Sequence, residues 1–201
     1  GYGARSRDFV KSLIDLKGQE WDIKILAQRW GTTPQNALTP EDDTFTSRLI
    51  PQLESKPDIW IQITIPSEFQ PVGNFNIGVS AVIETSDASS EFIEGCNRMD
   101  LNIVSSRHSA ATLTAVYDKL NDQTQQKIGE LKIEKPVEVL FEGYDTNVFD
   151  NKKPIESTVK KVFQDIPEQF CFLFVGHLLN GAQGHDRKNV YSLIKVFLNT
   201  F

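Results

Sequence analysis

The chain has 201 residues, 39% of them hydrophobic and 24% charged, with a net charge of −6. That is enough apolar material for one well-formed core, or for one domain plus part of another, and it excludes an intrinsically disordered chain. The acidic balance excludes a protein that follows phosphate backbones with a broad basic face, so no nucleic-acid partner is expected and any anion site must be local.

Residues 1–7, Gly1-Tyr2-Gly3-Ala4-Arg5-Ser6-Arg7, read as a loop. Residues 8–17 read as a helix, because Phe9, Val10, Leu13, Ile14 and Leu16 share a face at helical spacing, and Gly18 stops it. Residues 21–27 alternate, with Trp21, Ile23 and Ile25 on one side, and predict a strand. A loop fills 29–40. Glu41, Asp42 and Asp43 suit the first turn of a helix whose inner face is Phe45, Leu49, Ile50 and Leu53.

Residues 59–65, Ile59-Trp60-Ile61-Gln62-Ile63-Thr64-Ile65, are the clearest strand, and Pro66 ends it. A polar connection over 67–78 leads to a short buried strand over 79–83, closing on Glu84-Thr85-Ser86. Residues 89–97 read as a helix and 101–104 as a strand. Ser105 or Ser106 then caps a helix whose Ala110, Leu113, Val116, Tyr117 and Leu120 share one face. A further strand over 137–141 precedes Glu142-Gly143-Tyr144-Asp145. Residues 145–169 read as a linker with one short helix near 156–163. The wholly apolar run 170–175 suits a central parallel strand covered on both faces. A glycine-rich loop over 176–186 follows, then a helix over 187–201 with Val190, Leu193, Ile194, Phe197, Leu198 and Phe201 in register.

Strands alternate with helices, which predicts an α/β, Rossmann-like fold with a mainly parallel sheet and flanking helices. The opening loop and helix have no strand before them, and a single strand–loop–helix unit closes the chain. The expectation is a fragment lacking a first strand and most of a second domain; the competing reading is a complete protein whose last unit extends the first sheet. Cys96 and Cys171 sit in or beside apolar segments with no C-x-x-C or Cys/His cluster, so both read as buried free thiols rather than zinc ligands. That suits a reducing, cytoplasmic compartment. No apolar run approaches the roughly 18 residues that span a bilayer, and no leader pattern opens the chain, so no integral membrane segment is expected.

Ligands of open α/β sheets bind beyond the carboxyl ends of the strands, which selects the loops there. Gly1 and Gly3 before a helix let backbone N–H groups approach an anion, and Arg5 and Arg7 add charge; the plain alternative is a tight turn with solvated arginines. Gly176, Gly181 and Gly184 repeat that logic later in the chain, with His177 directly after the strand end. Arg187 and Lys188 stand at the start of a helix, where cations oppose the dipole unless an anion or Asp186 answers them. Glu84 ends an apolar strand. It is a candidate to orient a hydroxyl or act as a base, or else a carboxylate bonded to loop N–H groups. His108 reads as a candidate of the same kind or as a capping-region residue. Three histidines and many serines give no spacing signature from which a Ser/His/Asp triad can be argued, and the sequence has no P-loop, G-x-G-x-x-G fingerprint or D-x-D metal motif.

The order of these features resembles the family-4-like GT-B glycosyltransferases found in phages and bacteria. The resemblance rests on the glycine loop and helix at the start; Glu84-Thr85-Ser86; Cys96-Asn97-Arg98-Met99-Asp100; the Ser105-Ser106 turn; Glu142-Gly143-Tyr144-Asp145 with Phe149; Val175-Gly176-His177; and Arg187-Lys188-Asn189. It runs over nearly the whole chain through short motifs. It implies residues 1–150 as an acceptor-side Rossmann-like domain (the GT-B N-terminal domain), 151–169 as a linker, and 170–201 as the first strand and helix of a donor-binding domain. It implies sugar transfer from a nucleotide-diphosphate sugar to a glycan, lipid or protein acceptor, with no cofactor and no obligatory metal, and little activity in the segment by itself. Gly176 matches the family's phosphate-binding glycine and Lys188 its lysine. His177 replaces the usual arginine, a charge Arg187 can supply. Gly1, Gly3 and Arg7 match the loop that faces donor phosphates and acceptor. Glu84 is the candidate catalytic carboxylate. A non-catalytic nucleotide- or glycan-binding α/β module is the alternative.

Overall fold

The structure, a computed structural model, describes residues 1–29, 36–39, 41–82, 85–121, 123–176 and 188–201. It divides into two compact units, Gly1–Phe149 and Asp150–Phe201.

The first unit is built on four parallel strands, β1 (Ile59–Ile63), β2 (Phe75–Ser80), β3 (Leu101–Val104) and β6 (Val137–Val139), adjacent in that order. Their register pairs Ile61 with Ile77, Val79 with Ile103 and Val104 with Val139. Parallel neighbours require crossovers. A 3-10 turn at Pro66–Glu68 lies between β1 and β2, and helix α3 (Ser90–Asn97) lies between β2 and β3. Helix α4 (Arg107–Thr114) and an antiparallel hairpin, β4 (Tyr117–Leu120) with β5 (Lys127–Leu131), lie between β3 and β6. The chain is therefore an α/β, Rossmann-like protein with helices flanking a mainly parallel sheet.

The core is Phe69, Cys96, Met99, Val104 and Leu113, with Trp60, Val82, Ala110 and Val137 packed against it. Burial of each large apolar side chain stabilises by roughly 1.5–3 kcal/mol. β2 runs between two strands, and Gly78 leaves a notch in it. A Cβ there would sit 2.4 Å from the Phe69 ring, so the ring occupies the space a side chain would need. Arg98 ties the 66–69 turn to the end of α3 by donating from Nε to the Phe69 carbonyl and from Nη2 to the Ser67 carbonyl, both at 2.8 Å. At the amino ends of the strands, Asn76 donates to the Asp100 carboxylate at 3.0 Å and accepts from the Gly73 N–H at 2.7 Å.

Several expectations need correction. The strand expected at 21–27 is reduced to one bridge, Ile25 with Leu49, made by Ile25 N–H to the Arg48 carbonyl and Ile50 N–H to the Ile25 carbonyl. Alternation alone does not make a strand without a neighbour along its length. The helix after Asp42 is a single short turn, α2 (Asp43–Thr46). β2 begins at Phe75, inside the expected connection, because Asn76 and Gly78 pair on both sides despite their polar or small side chains. α4 stops at Thr114, and Ala115 is already extended. Tyr117 then turns away, its hydroxyl donating to the Thr112 carbonyl at 2.7 Å and accepting from the Ala88 N–H at 3.1 Å.

The second unit carries α5 (Ser157–Gln164), within the expected linker, and α6 (Val190–Thr200). Residues 170–175 have no regular strand structure. Phe170, Phe172, Phe197 and Phe201 form a ring cluster with centroids 5.0–5.7 Å apart, which sets this run against α6. Cys171 is exposed, not buried as expected. No described helix is long and apolar enough to cross a membrane.

Two outcomes follow. Gly95 lies against the 66–69 turn, and a Cβ there would fall 1.8 Å from the Pro66 carbonyl oxygen. Backbone cannot swing aside as a side-chain tip can, so Gly95→Ala should cost about 1–3 kcal/mol or more, read as a lower urea midpoint at unchanged slope. Burial pushes the Cys96 thiol up to about 12, with a small opposing effect of Arg98. A maleimide at neutral pH should therefore label Cys171 in the native protein and Cys96 only after unfolding.

Candidate functional site

Helix α1 (Tyr2–Lys17) begins at the carboxyl end of the sheet. The glycine loop expected at residues 1–7 is helical from Tyr2 onward, with Gly1 as its N-cap. Gly1, Gly3 and Arg7 are thus a cap and the first two turns, not a loop before a helix. A backbone already committed to a helix exposes its first N–H groups along the axis instead of wrapping a ligand. A Cβ on Gly3 would lie 3.5 Å from an Arg7 guanidinium nitrogen, so Arg7 folds back along the helix toward its start.

Polar groups help fasten α1, whose Phe9, Val10, Leu13 and Ile14 are half-buried and which buries no residue fully. The Tyr2 hydroxyl lies 2.9 Å from the Ser80 hydroxyl at the end of β2 and accepts from the Ala81 N–H at 3.3 Å. Arg5 pairs with the Glu142 carboxylate beyond β6. Its side chain is only 13% exposed, against 51% for Glu142. Burial lowers the guanidinium pKa, with a smaller opposing effect of Tyr2; the carboxylate at its tip compensates the buried cation. Arg5 Nε is buried and has no hydrogen-bond partner among the described residues. Lys11 pairs with Asp145 nearly two turns further along α1.

The turn after β2 is the most constrained backbone of this region. Val82 has φ 63°, in the left-handed region where a β-branched residue is a genuine outlier. Such strain costs about 1–3 kcal/mol and persists only where the surroundings over-determine it. Here they do. The Val82 N–H donates to the Ser80 hydroxyl at 3.1 Å, and the Val82 side chain packs on the core. The Ser109 hydroxyl donates to the Ala81 carbonyl at 3.0 Å. Ser109 is held in turn by Ser106, the N-cap of α4, whose hydroxyl oxygen accepts from the Ser109 N–H at 3.0 Å. Beside them, His108 Nε2 is 3.1 Å from the Thr85 carbonyl. A carbonyl only accepts, so Nε2 carries the proton, and in the neutral ring Nδ1 is then the acceptor.

Of the residues singled out from sequence, Gly1, Gly3 and Arg7 belong to the first unit, near Ser80 and Glu142 through α1. Glu84, His177 and Arg187 lie outside the described residues. Gly176 and Lys188 belong to the second unit. A Cβ on Gly176 would meet the Phe174 ring at 2.6 Å, and Lys188 is exposed just before Asn189, the left-handed N-cap of α6. Tyr2, Ser80 and Ser109 had no sequence signal; only pairing with distant elements gives them a place here. Among the described residues, no three His, Cys, Asp or Glu side chains are grouped to hold a metal ion.

These features define a Rossmann-like α/β protein whose polar and strained groups collect at the carboxyl end of the sheet, where the class binds ligands. Comparison with known protein families, with curated proteins and with solved structures finds no match.

Lys11 dominates the environment of Asp145. Its hydrogen bond, followed by that of the Asn147 N–H, holds the carboxyl below the usual aspartate range. A folded-state pKa below the unfolded value means that the pair's contribution is present above about pH 3.9 and is lost as pH falls through the folded value. By NMR, the Asp145 carboxyl should titrate low in the unaltered protein and return toward about 3.9 in Lys11→Met. An ordinary value in the unaltered protein means that the pair does not form in solution.

Proposed function

We propose that this protein is a sugar-nucleotide-dependent glycosyltransferase of the GT-B type, acting in the cytoplasm, with residues 1–149 as its acceptor-side domain. The observation that carries the reading is the order of short motifs from the opening glycines to Arg187-Lys188-Asn189, which resembles the family-4-like enzymes over nearly the whole chain. The Rossmann-like sheet supports it, since the motifs at Glu84-Thr85-Ser86, Ser105-Ser106 and Glu142–Asp145 follow β2, β3 and β6 at their carboxyl ends.

In this reading the chemistry is loss of a nucleoside diphosphate from the sugar's anomeric carbon and bond formation to an acceptor hydroxyl. Negative charge grows on the leaving diphosphate, so fixed N–H groups and cations aimed at it lower the barrier. Gly176, His177, Arg187 and Lys188 take that role. Gly1, Gly3 and Arg7, at the start of α1, offer the first N–H groups of the helix and a cation to the donor and acceptor side, and Glu84 orients or deprotonates the acceptor hydroxyl. His177 stands where the family has arginine, and Arg187 supplies the cation.

Calorimetry with a panel of nucleotide-diphosphate sugars tests the binding step. Release of nucleoside diphosphate on adding glycan, lipid or protein acceptors tests transfer. In the full-length protein at least one donor should bind, and Lys188→Ala should lower turnover about 10²-fold while leaving the melting temperature in place. Binding without turnover would favour a non-catalytic recognition module, and absence of both ends the proposal.

A further inference from the structure

The turn at Ser80-Ala81-Val82 is held from three directions. From α1, the Tyr2 hydroxyl takes the Ala81 N–H and meets Ser80. From α4, Ser109 takes the Ala81 carbonyl, and the Ser106 hydroxyl donates to Ser109 Oγ at 3.1 Å. From β2 itself, Ser80 takes the Val82 N–H. Both backbone polar groups of Ala81, its N–H and its C=O, are thus answered by side-chain hydroxyls from elements distant in sequence. Ser80 and Ser109 are only 2% and 3% exposed, so water does not compete freely for them.

A turn that merely closed a crossover would do better with glycine or asparagine at position 82, where the left-handed backbone is unstrained. Valine holds that conformation here. Strain of this kind collects at sites that must be pre-organised, and this turn leads, two residues on, to Glu84.

We propose that Tyr2 and Ser109 are positioning residues: their hydroxyls hold the backbone N–H and C=O of Ala81 and so fix the strained 80–82 turn in one conformation at the carboxyl end of β2, the end of the sheet where the transferase reading places the acceptor. The role rests on the transferase reading for its consequence, but the clamp itself does not. Ser106 supports Ser109 and Ser80 supports Tyr2, so two hydroxyl pairs meet the turn from either side, and within each pair one bond polarises the next. Loss of one member loosens the turn without touching the sheet, because neither Tyr2 nor Ser109 lies in a strand.

The test uses Tyr2→Phe and Ser109→Ala, each of which removes one hydroxyl and little volume. Hydrogen exchange at the Ala81 amide should quicken about tenfold in Tyr2→Phe, with a smaller rise in Ser109→Ala, while amides of Ile61 and Ile103 keep their rates. In the full protein, kcat for sugar transfer should fall about tenfold in Tyr2→Phe with the donor KM changed by less than about twofold, since the clamp orients and does not bind donor. Unchanged exchange at Ala81 overturns the clamp. Faster exchange with unchanged kcat overturns its positioning role. If the unaltered protein transfers no sugar, the transferase reading falls, and the exchange measurement decides the clamp alone.

Discussion

Phe69 fills the notch that Gly78 leaves in β2, and the rest of the first unit is organised around that contact. A ring lying where a Cβ would have been brings the 66–69 turn directly onto a strand paired on both edges. The turn is then tied by its carbonyls to Arg98, at the end of α3. α3 can come this close only because Gly95 presents no side chain to the Pro66 carbonyl. The passage from β1 through α3 is in consequence one interlocked piece, with Cys96 and Met99 closing the core beneath it.

That rigid base lets the opposite, carboxyl end of the sheet carry a strained turn. Val82 can remain left-handed because its side chain is anchored in the core and its backbone is bonded to a buried serine. α1 is attached differently. It is joined through Tyr2, Arg5 and Lys11 to Ser80, Glu142 and Asp145, and no residue of it is fully buried. The exposed Lys11–Asp145 tether weakens with salt, whereas the largely buried Arg5 and the part-buried Tyr2–Ser80 contact are screened less. The start of α1, which carries Gly1, Gly3 and Arg7, is therefore held by the contacts less sensitive to solution conditions, and its later turns by the more sensitive one.

Much of the element order was readable where a segment's own pattern decides its structure. Ile59–Ile63 and Leu101–Val104 alternate or run apolar between clear stops, and Ser106 caps α4 by a local bond to the Ser109 N–H. The errors occur where a distant partner decides. Trp21 to Ala27 has the right alternation but one bridging partner. Val116, Tyr117 and Leu120 continue the helical spacing of α4, yet the Tyr117 hydroxyl finds Thr112 and Ala88, and the chain folds into the β4–β5 hairpin. The candidate site divides the same way. Glycines and arginines near the start drew attention by type, whereas Tyr2, Ser80 and Ser109 carry no signature.

The sequence by itself determined an α/β chain with a mainly parallel sheet, because the alternation of apolar runs and helical faces is written in local spacing and in capping residues. It also directed attention to the loops at strand ends, since parallel strands leave their ligand-facing loops on one side. Only the tertiary structure decided that residues 2–7 are helix, that Asn76 and Gly78 belong to a central strand, and that Val82 bears strain beneath a clamp of three hydroxyls. Those outcomes depend on bonds between residues dozens of positions apart, as Tyr2 and Ser80 are, and no local periodicity encodes which distant group will arrive.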